Sequence, residues 1–236
     1  MGRSVFIGLF SALAFTQIAA AADIATKAPV SPAPVATYNW TGIYVGGSLG
    51  GAWATEGPYQ FVDVIPNSFA QTSDANGWAG TGFLGAQWQW SSIVIGVEGN
   101  IYAMNQKHSG ICPNTALLCQ QRAPQSITIG PRLGWALNNW LVYGTGGWAR
   151  TTIKSDVVTP SGGTVDQTDN NHNGWFAGVG VEYALLPLVI VGLEYTHIQA
   201  NEGTDISTPL GGIDDRIVGT KINTVRGRVS IKFNPL

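Results

Sequence analysis

In stretch after stretch between Thr41 and Phe233, apolar and polar positions alternate in steps of two, the period of a strand and not of a helix. The closing stretch Lys221–Phe233 states the rule most clearly. Val225, Gly227, Val229, Ile231 and Phe233 share one face, and Thr224, Arg226, Arg228, Ser230 and Lys232 share the other. The same alternation predicts seven earlier strands. Thr41–Trp53 turns Ile43, Val45, Leu49 and Trp53 one way and Gly42, Tyr44, Gly46, Ser48 and Gly50 the other. Gly77–Trp90 sets Trp78, Leu84, Ala86, Trp88 and Trp90 against Thr81, Gln87 and Gln89. Ile93–Met104 sets Ile93, Ile95, Val97 and Ile101 against Glu98 and Asn100. Ser126–Leu137 sets Ile127, Ile129, Leu133, Trp135 and Leu137 against Arg132. Trp140–Ile153 is ambiguous by composition, and register decides it. A two-residue turn at Asn138-Asn139 pairs Leu137 with Trp140 on one face, so Trp140, Val142 and Trp148 join the apolar side. The same arithmetic at Ser91-Ser92 pairs Trp90 with Ile93. Gly174–Ala184 (Trp175, Val179, Val181, Tyr183 against Glu182) and Leu188–Ile198 (Val189, Val191, Leu193, Tyr195 against Glu194) complete the set.

Long connections follow strands one, three, five and seven, and short ones follow two, four and six, the last at Leu185-Leu186-Pro187. An even number of strands with alternating long and short connections is the signature of a transmembrane barrel. The pattern therefore predicts an all-β chain: an eight-stranded antiparallel up-and-down transmembrane β-barrel. A soluble lipocalin-type barrel would have the faces reversed, apolar within and polar without. Here the charges sit on the minority face and Trp, Ile, Val and Leu fill the other, a surface that water would not tolerate. Pro131 falls inside strand four, where it removes a ladder donor, and predicts a bulge there with a possible one-residue shift of register.

Composition agrees. Charged residues make up 11% of the chain, against about 25% in typical soluble domains. Net charge is −2, which offers no basic field for nucleic acid. Residues 1–22 read as a signal peptide, with Arg3, an apolar run Val5–Phe15 and Ala20-Ala21-Ala22 before the cut. Residues 23–37 form an Ala/Pro-rich leader, and 38–236 form the barrel. Export to an oxidising compartment predicts a disulfide between Cys112 and Cys119.

By this assignment the lumen holds Glu98, Glu182 and Glu194 with Arg132, Arg226, Arg228 and Lys232. An eight-stranded barrel leaves only enough room for side chains, so these charges are expected to pair and plug it; an ion or proton path is the alternative. Aromatic residues gather in two belts: Trp53, Trp78, Trp148, Trp175 and Tyr195 toward the long loops, and Trp88, Trp90, Trp135, Trp140, Tyr183 and Phe233 toward the short turns. His108, His172 and His197 map to the outer rim and are expected to be solvated, with metal or haem capture and lipid hydrolysis as alternatives. No H-E-x-x-H or P-loop pattern is present, and Asp166–Asn171 lacks EF-hand spacing. No catalytic set, metal site or cofactor is predicted.

The opening segment Tyr38-Asn39-Trp40-Thr41-Gly42-Ile43-Tyr44-Val45-Gly46-Gly47 resembles the first strand of the outer-membrane immunogenic proteins of alphaproteobacteria. These are small porin-family barrels related in architecture to the barrel of outer membrane protein A. The leader, Val97-Glu98-Gly99 and Asn223-Thr224-Val225-Arg226 resemble the same family. The resemblance implies a structural, surface-exposed, antigenic protein of the bacterial outer membrane, with haemin binding or small-solute passage in some members. It implies no catalytic residues. The implied partners are outer-membrane lipid and lipopolysaccharide, and the barrel-insertion machinery during assembly. One departure is that Phe233 is followed by Asn234-Pro235-Leu236, where the family usually ends on an aromatic residue.

Overall fold

The computed structural model describes residues 38–56, 59–61, 68–70, 75–111, 116–207 and 214–233. The expected signal peptide, the leader and Cys112 lie outside the described residues. Eight long strands carry the fold: β1 (Gly42–Glu56), β2 (Ala75–Trp90), β3 (Ile93–Met104), β4 (Leu118–Leu137), β5 (Trp140–Val158), β6 (Thr164–Ala184), β7 (Val189–Ser207) and β8 (Asp214–Phe233). Each pairs antiparallel with its neighbours in chain order. β1 then pairs with β8 from Ile43↔Phe233 to Glu56↔Thr220, which closes the sheet into a barrel and leaves no edge at that seam.

The predicted faces hold throughout. Ile43, Leu49, Leu84, Ile101, Leu133, Val179, Leu193 and Val229 are exposed on the outer wall, while Tyr44, Thr81, Glu98, Arg132, Glu182, Glu194, Arg226 and Arg228 are buried within. A one-residue slip of β8 would carry Arg226, Arg228 and Lys232 onto hydrocarbon, at about 2–4 kcal/mol each at the midplane. The predicted pairs Leu137↔Trp140 and Trp90↔Ile93 are both present. Ser91 and Asn138 take left-handed φ values of 55° and 54°, the geometry these tight turns need. The third turn is one residue longer than predicted, with β7 starting at Val189 instead of Leu188.

Two expectations need correction. Pro131 makes no bulge. It pairs with Val97 in line with Ile129↔Gly99 and Leu133↔Ile95, and the β4–β5 offset is the same at Ile129↔Trp148 and Arg132↔Thr145. The missing donor faces β5, where the ladder skips Gly130 and Pro131 and the Thr145 hydroxyl donates to the Pro131 carbonyl at 3.0 Å. The offset changes instead between Arg122 and Gln125, around Pro124. Secondly, β4 to β8 run well past the predicted loop-side ends, whereas β3 ends at Met104 as predicted. β4 begins at Leu118, not Ser126, and β5 and β6 occupy most of the expected loop Lys154–Asn173. β7 and β8 likewise extend to Ser207 and from Asp214. Three short strands add to this loop-side wall: Tyr59–Phe61 pairs with Ser68–Ala70 and with β8, and His108–Ile111 pairs with β4.

The extension is not a closed cylinder. β6 and β7 part after Gly174↔Ala200, while β5–β6 pairing continues to Val158↔Thr164 and β7–β8 pairing continues to Ser207↔Asp214. Above that level the wall divides between these two hairpins.

Candidate functional site

The lumen is built in layers, and the middle layer carries the charges. Glu98 comes from β3, Arg132 from β4, Glu182 from β6, Glu194 from β7, and Arg226 and Arg228 from β8, each at most 3% exposed. Burying ions in a low-dielectric interior is tolerable only if each is paired and its remaining hydrogen-bonding groups are satisfied. Three carboxylates meet three guanidiniums here, and Arg228 is the hub. It bonds Glu98 through Nη2 at 2.7 Å and Nη1 at 3.1 Å, lies 3.3 Å from Glu182, and pairs with Glu194. Arg132 bridges Glu98 at 3.2 Å and Glu182. Arg226 pairs with Glu194 and donates to Thr81 at 2.5 Å, Ser48 at 3.1 Å, Thr196 at 3.0 Å and Tyr102 at 3.2 Å.

Aromatic rings complete the layer. Tyr44 donates to Glu98 at 2.8 Å and Tyr143 donates to Glu194 at 2.6 Å. Arg132 stacks 3.6 Å from the Tyr143 ring centroid, Arg228 3.9 Å from that of Phe83 and Arg226 4.6 Å from that of Tyr102. Both acid-binding tyrosines lie flat against the wall over a glycine: a Cβ on Gly85 would strike the Tyr44 ring, and one on Gly180 the Tyr143 ring. All eight strands thus contribute a side chain to one contact set. Of these aromatic members the sequence reading placed only Tyr44 on the inner face and gave none of them a role. The available signal was a tyrosine on the minority face beside a strand whose minority face carries Gly.

Lys232 stands apart from the carboxylates it was grouped with. Its ammonium donates to the Asn39 carbonyl, lies 3.4 Å from that of Thr41 and sits 4.3 Å from the Tyr38 ring centroid. It thereby holds a feature that the alternation did not foretell. Before β1 begins, the chain turns into the barrel and inserts Trp40, which is 0% exposed, into the turn-side end of the lumen. Gln89 accepts from the Trp40 amide at 2.7 Å, and Gln87 donates to its carbonyl at 2.8 Å. Trp40 packs with Val94, Ala136, Leu141, Tyr143, Ala184 and Ile190, and Tyr38 closes the group from below with its hydroxyl on the Pro187 carbonyl at 3.2 Å. On the loop side of the charges lies a second apolar layer around Met104, Phe176, Ile198 and Ile222.

The outer wall carries both aromatic belts. Trp148 faces Trp175 across β5–β6, and Trp53 lies 6.4 Å from Tyr195. On the turn side Trp140 lies 4.7 Å from Tyr183, and Trp88 and Trp90 stand far out from the wall. Trp135 and Phe233 are exposed at the same end, and Trp78 belongs to the loop-side belt. Trp78 and Trp88 are ten residues apart on β2. At about 3.4 Å per residue and a tilt of about 40°, that separates the belts by about 26 Å, close to the apolar height of an outer-membrane barrel.

The histidines were expected to be solvated, and His172 is not. His172 is buried on the lumen side of β6, whereas His197 sits on the outer wall of β7, 2.8 Å from Asn223 and stacked at 5.4 Å on Trp175. They face opposite sides of the wall and cannot close on one ligand. His108 lies in the short strand beside β4, and the side chain of Cys119 is outside the described set, so the geometry of the expected disulfide is not described.

Comparison with known proteins agrees with this architecture. The 31 kDa outer-membrane immunogenic protein of Brucella melitensis is 29% identical over 249 residues, covering 98% of this chain and 100% of the relative. The 22 kDa outer membrane protein of Rhizobium leguminosarum is 28% identical over 210 residues, covering 89% and 83%. Among solved structures, the outer membrane protein OprG of Pseudomonas aeruginosa superposes with a TM-score of 0.54 at 12% identity, covering 84% of this chain and 99% of that one, a likeness of fold. The family model for the outer membrane protein beta-barrel domain matches residues 8–233. The chain therefore belongs to the outer membrane protein beta-barrel family, and its apolar belt is the part that meets the outer membrane.

Proposed function

We propose that this barrel is a closed structural element of the bacterial envelope, neither a channel nor an enzyme, whose lumen is a mechanical tie and whose loop-side wall is its surface to the outside. One observation carries the reading: Arg228 engages Glu98, Glu182 and Glu194 at once, so three strands are cross-linked to β8 through a single buried guanidinium. An ion path needs exchangeable, hydrated groups, and these are paired with one another and buried. The apolar layers above and below add two further seals. Surface exposure is supported by the naming of the Brucella relatives as immunogenic and by the strand extensions that carry β4 to β8 beyond the outer belt. No group of side chains in the described lumen pairs a nucleophile with a base and an oriented third member, the minimum for hydrolysis.

Planar-bilayer recording of the purified, refolded protein tests this. The expected result is a silent bilayer with at most rare, irregular events. A reproducible single-channel conductance that scales with salt would overturn the closed reading in favour of a narrow porin.

A further inference from the structure

Just outside the loop-side aromatic belt, the outer wall carries three cations in equivalent places. Asn105 donates its amide to the Trp78 carbonyl at 3.2 Å, and Lys107 is the next residue on that face. Arg150 is the next outward-facing residue after Trp148 on β5. Lys221 pairs with Thr55, the next outward-facing residue after Trp53 on β1. Each cation is exposed and stands one pleat, about 7 Å along the strand, beyond a belt tryptophan. Among the described side chains, the other cations of this outer wall are already neutralised, Arg122 by Asp156 at 2.5 Å and Lys154 by Asp169 at 2.6 Å. The opposite belt has no counterpart. Around Trp88, Trp90, Trp135, Trp140, Tyr183 and Phe233, no described residue of the outer wall is charged, and Lys232 points inward.

Indole rings mark the depth of a lipid–water boundary, so the three cations lie at headgroup level on one side of the membrane only. On the loop side of an outer-membrane barrel the leaflet is built of lipopolysaccharide, whose lipid A carries its phosphates at that depth. Long cationic side chains just beyond an aromatic belt can reach this level without burying their charge in hydrocarbon. We propose that Lys107, Arg150 and Lys221 form a collar that binds the phosphates of lipid A.

The three sites follow β3 and lie on β5 and β8, two or three strands apart around the wall. At about 4.8 Å per strand, neighbouring cations are about 10–14 Å apart, so the collar holds a ring of glycolipids, not a single molecule in a pocket. Arg150 offers a planar fork to a phosphate, whereas Lys107 and Lys221 act as point charges, so Arg150 is the strongest member.

The test uses the full barrel purified in detergent and native mass spectrometry with lipid A added, in bisphosphorylated and dephosphorylated forms. The wild-type barrel is expected to retain bisphosphorylated lipid A, with retention falling as salt rises. The triple variant Lys107→Gln, Arg150→Gln, Lys221→Gln is expected to retain it roughly a hundredfold less well, on about a fivefold contribution from each cation near an anionic surface. Its heat-modifiable migration on gels is expected to be unchanged. Equal retention by the variant overturns the proposal. So does equal retention of the dephosphorylated lipid by the wild type, a comparison that decides alone if the variant does not insert. Displacement of bound lipid A by millimolar inorganic phosphate also overturns it, because the collar would then be a site for free ions.

Discussion

Arg228 shows what a single side chain can carry inside a barrel of this diameter. Removing one member of a buried ionic set leaves the others desolvated and unpaired, which costs about 3–5 kcal/mol, more than the intact set contributes over apolar packing. Arg228→Met is therefore expected to lower the unfolding free energy in detergent by that amount, read from the denaturant midpoint. Adding Glu98→Leu to Arg228→Met is expected to recover part of the loss, because the second change removes one of the carboxylates the first left exposed to the interior. If the double variant is less stable than the two single losses combined, the two residues are not coupled in this way. At this scale the sequence was informative about position and silent about partners. Parity placed Glu98, Arg132, Glu182, Glu194, Arg226 and Arg228 on one inner surface, but which guanidinium reaches which carboxylate depends on strand tilt and side-chain reach. Lys232 shares that parity and lies one pleat beyond Ser230, far enough toward the turn end to meet backbone carbonyls instead.

Between residue and barrel, the strands obey two regimes. Within the membrane one face meets hydrocarbon and the other the lumen, so alternation is strict and was readable. Beyond the outer belt both faces are polar, as in Asn170-Asn171-His172-Asn173, and the period vanishes although β6 continues. That is why the strand ends toward the turns were placed to within a residue, whereas the loop-side ends of β4 to β8 were placed far too short. It is also why His172 and His197 seemed equivalent in sequence and lie on opposite faces. Among the described residues, β6 has no strand partner on its β7 side beyond Gly174, so barrel closure does not run through that part of the hairpin. Replacing residues 154–169 with a short turn is expected to leave the boiled and unboiled forms migrating apart on a gel. Loss of that difference would show that the hairpin is needed for the barrel to form. Within the same sheet, Thr145→Val removes the donor that satisfies the Pro131 carbonyl and is expected to cost about 1 kcal/mol in the same denaturation measurement.

On the closed reading proposed above, the molecule is sealed three times over: by Trp40 and its neighbours, by the charge layer, and by the apolar layer around Phe176. Redundant seals predict that no single one controls permeability. Trp40→Ala is expected to cost about 3–5 kcal/mol through the void it leaves, yet to remain silent in a planar bilayer because two seals persist. Steady conductance from that variant alone would mean that the inner layers are not tight. The sequence showed a polar lumen too narrow for more than side chains, but not the stopper. Trp40 precedes the first alternating pair, and no period tells a residue before a strand to fold back inside it.

The groups that seat the stopper have a consequence for assembly. Gln87 and Gln89 belong to β2, and Lys232 to the far end of β8, the two strands that flank β1. All of these grips exist together only when the first and last strands have zipped. A half-inserted sheet, still open at that seam, has an unstoppered bore. On the closed reading, watertightness therefore arrives with the final hydrogen bonds of assembly, and an uncorked hull is an unfinished one.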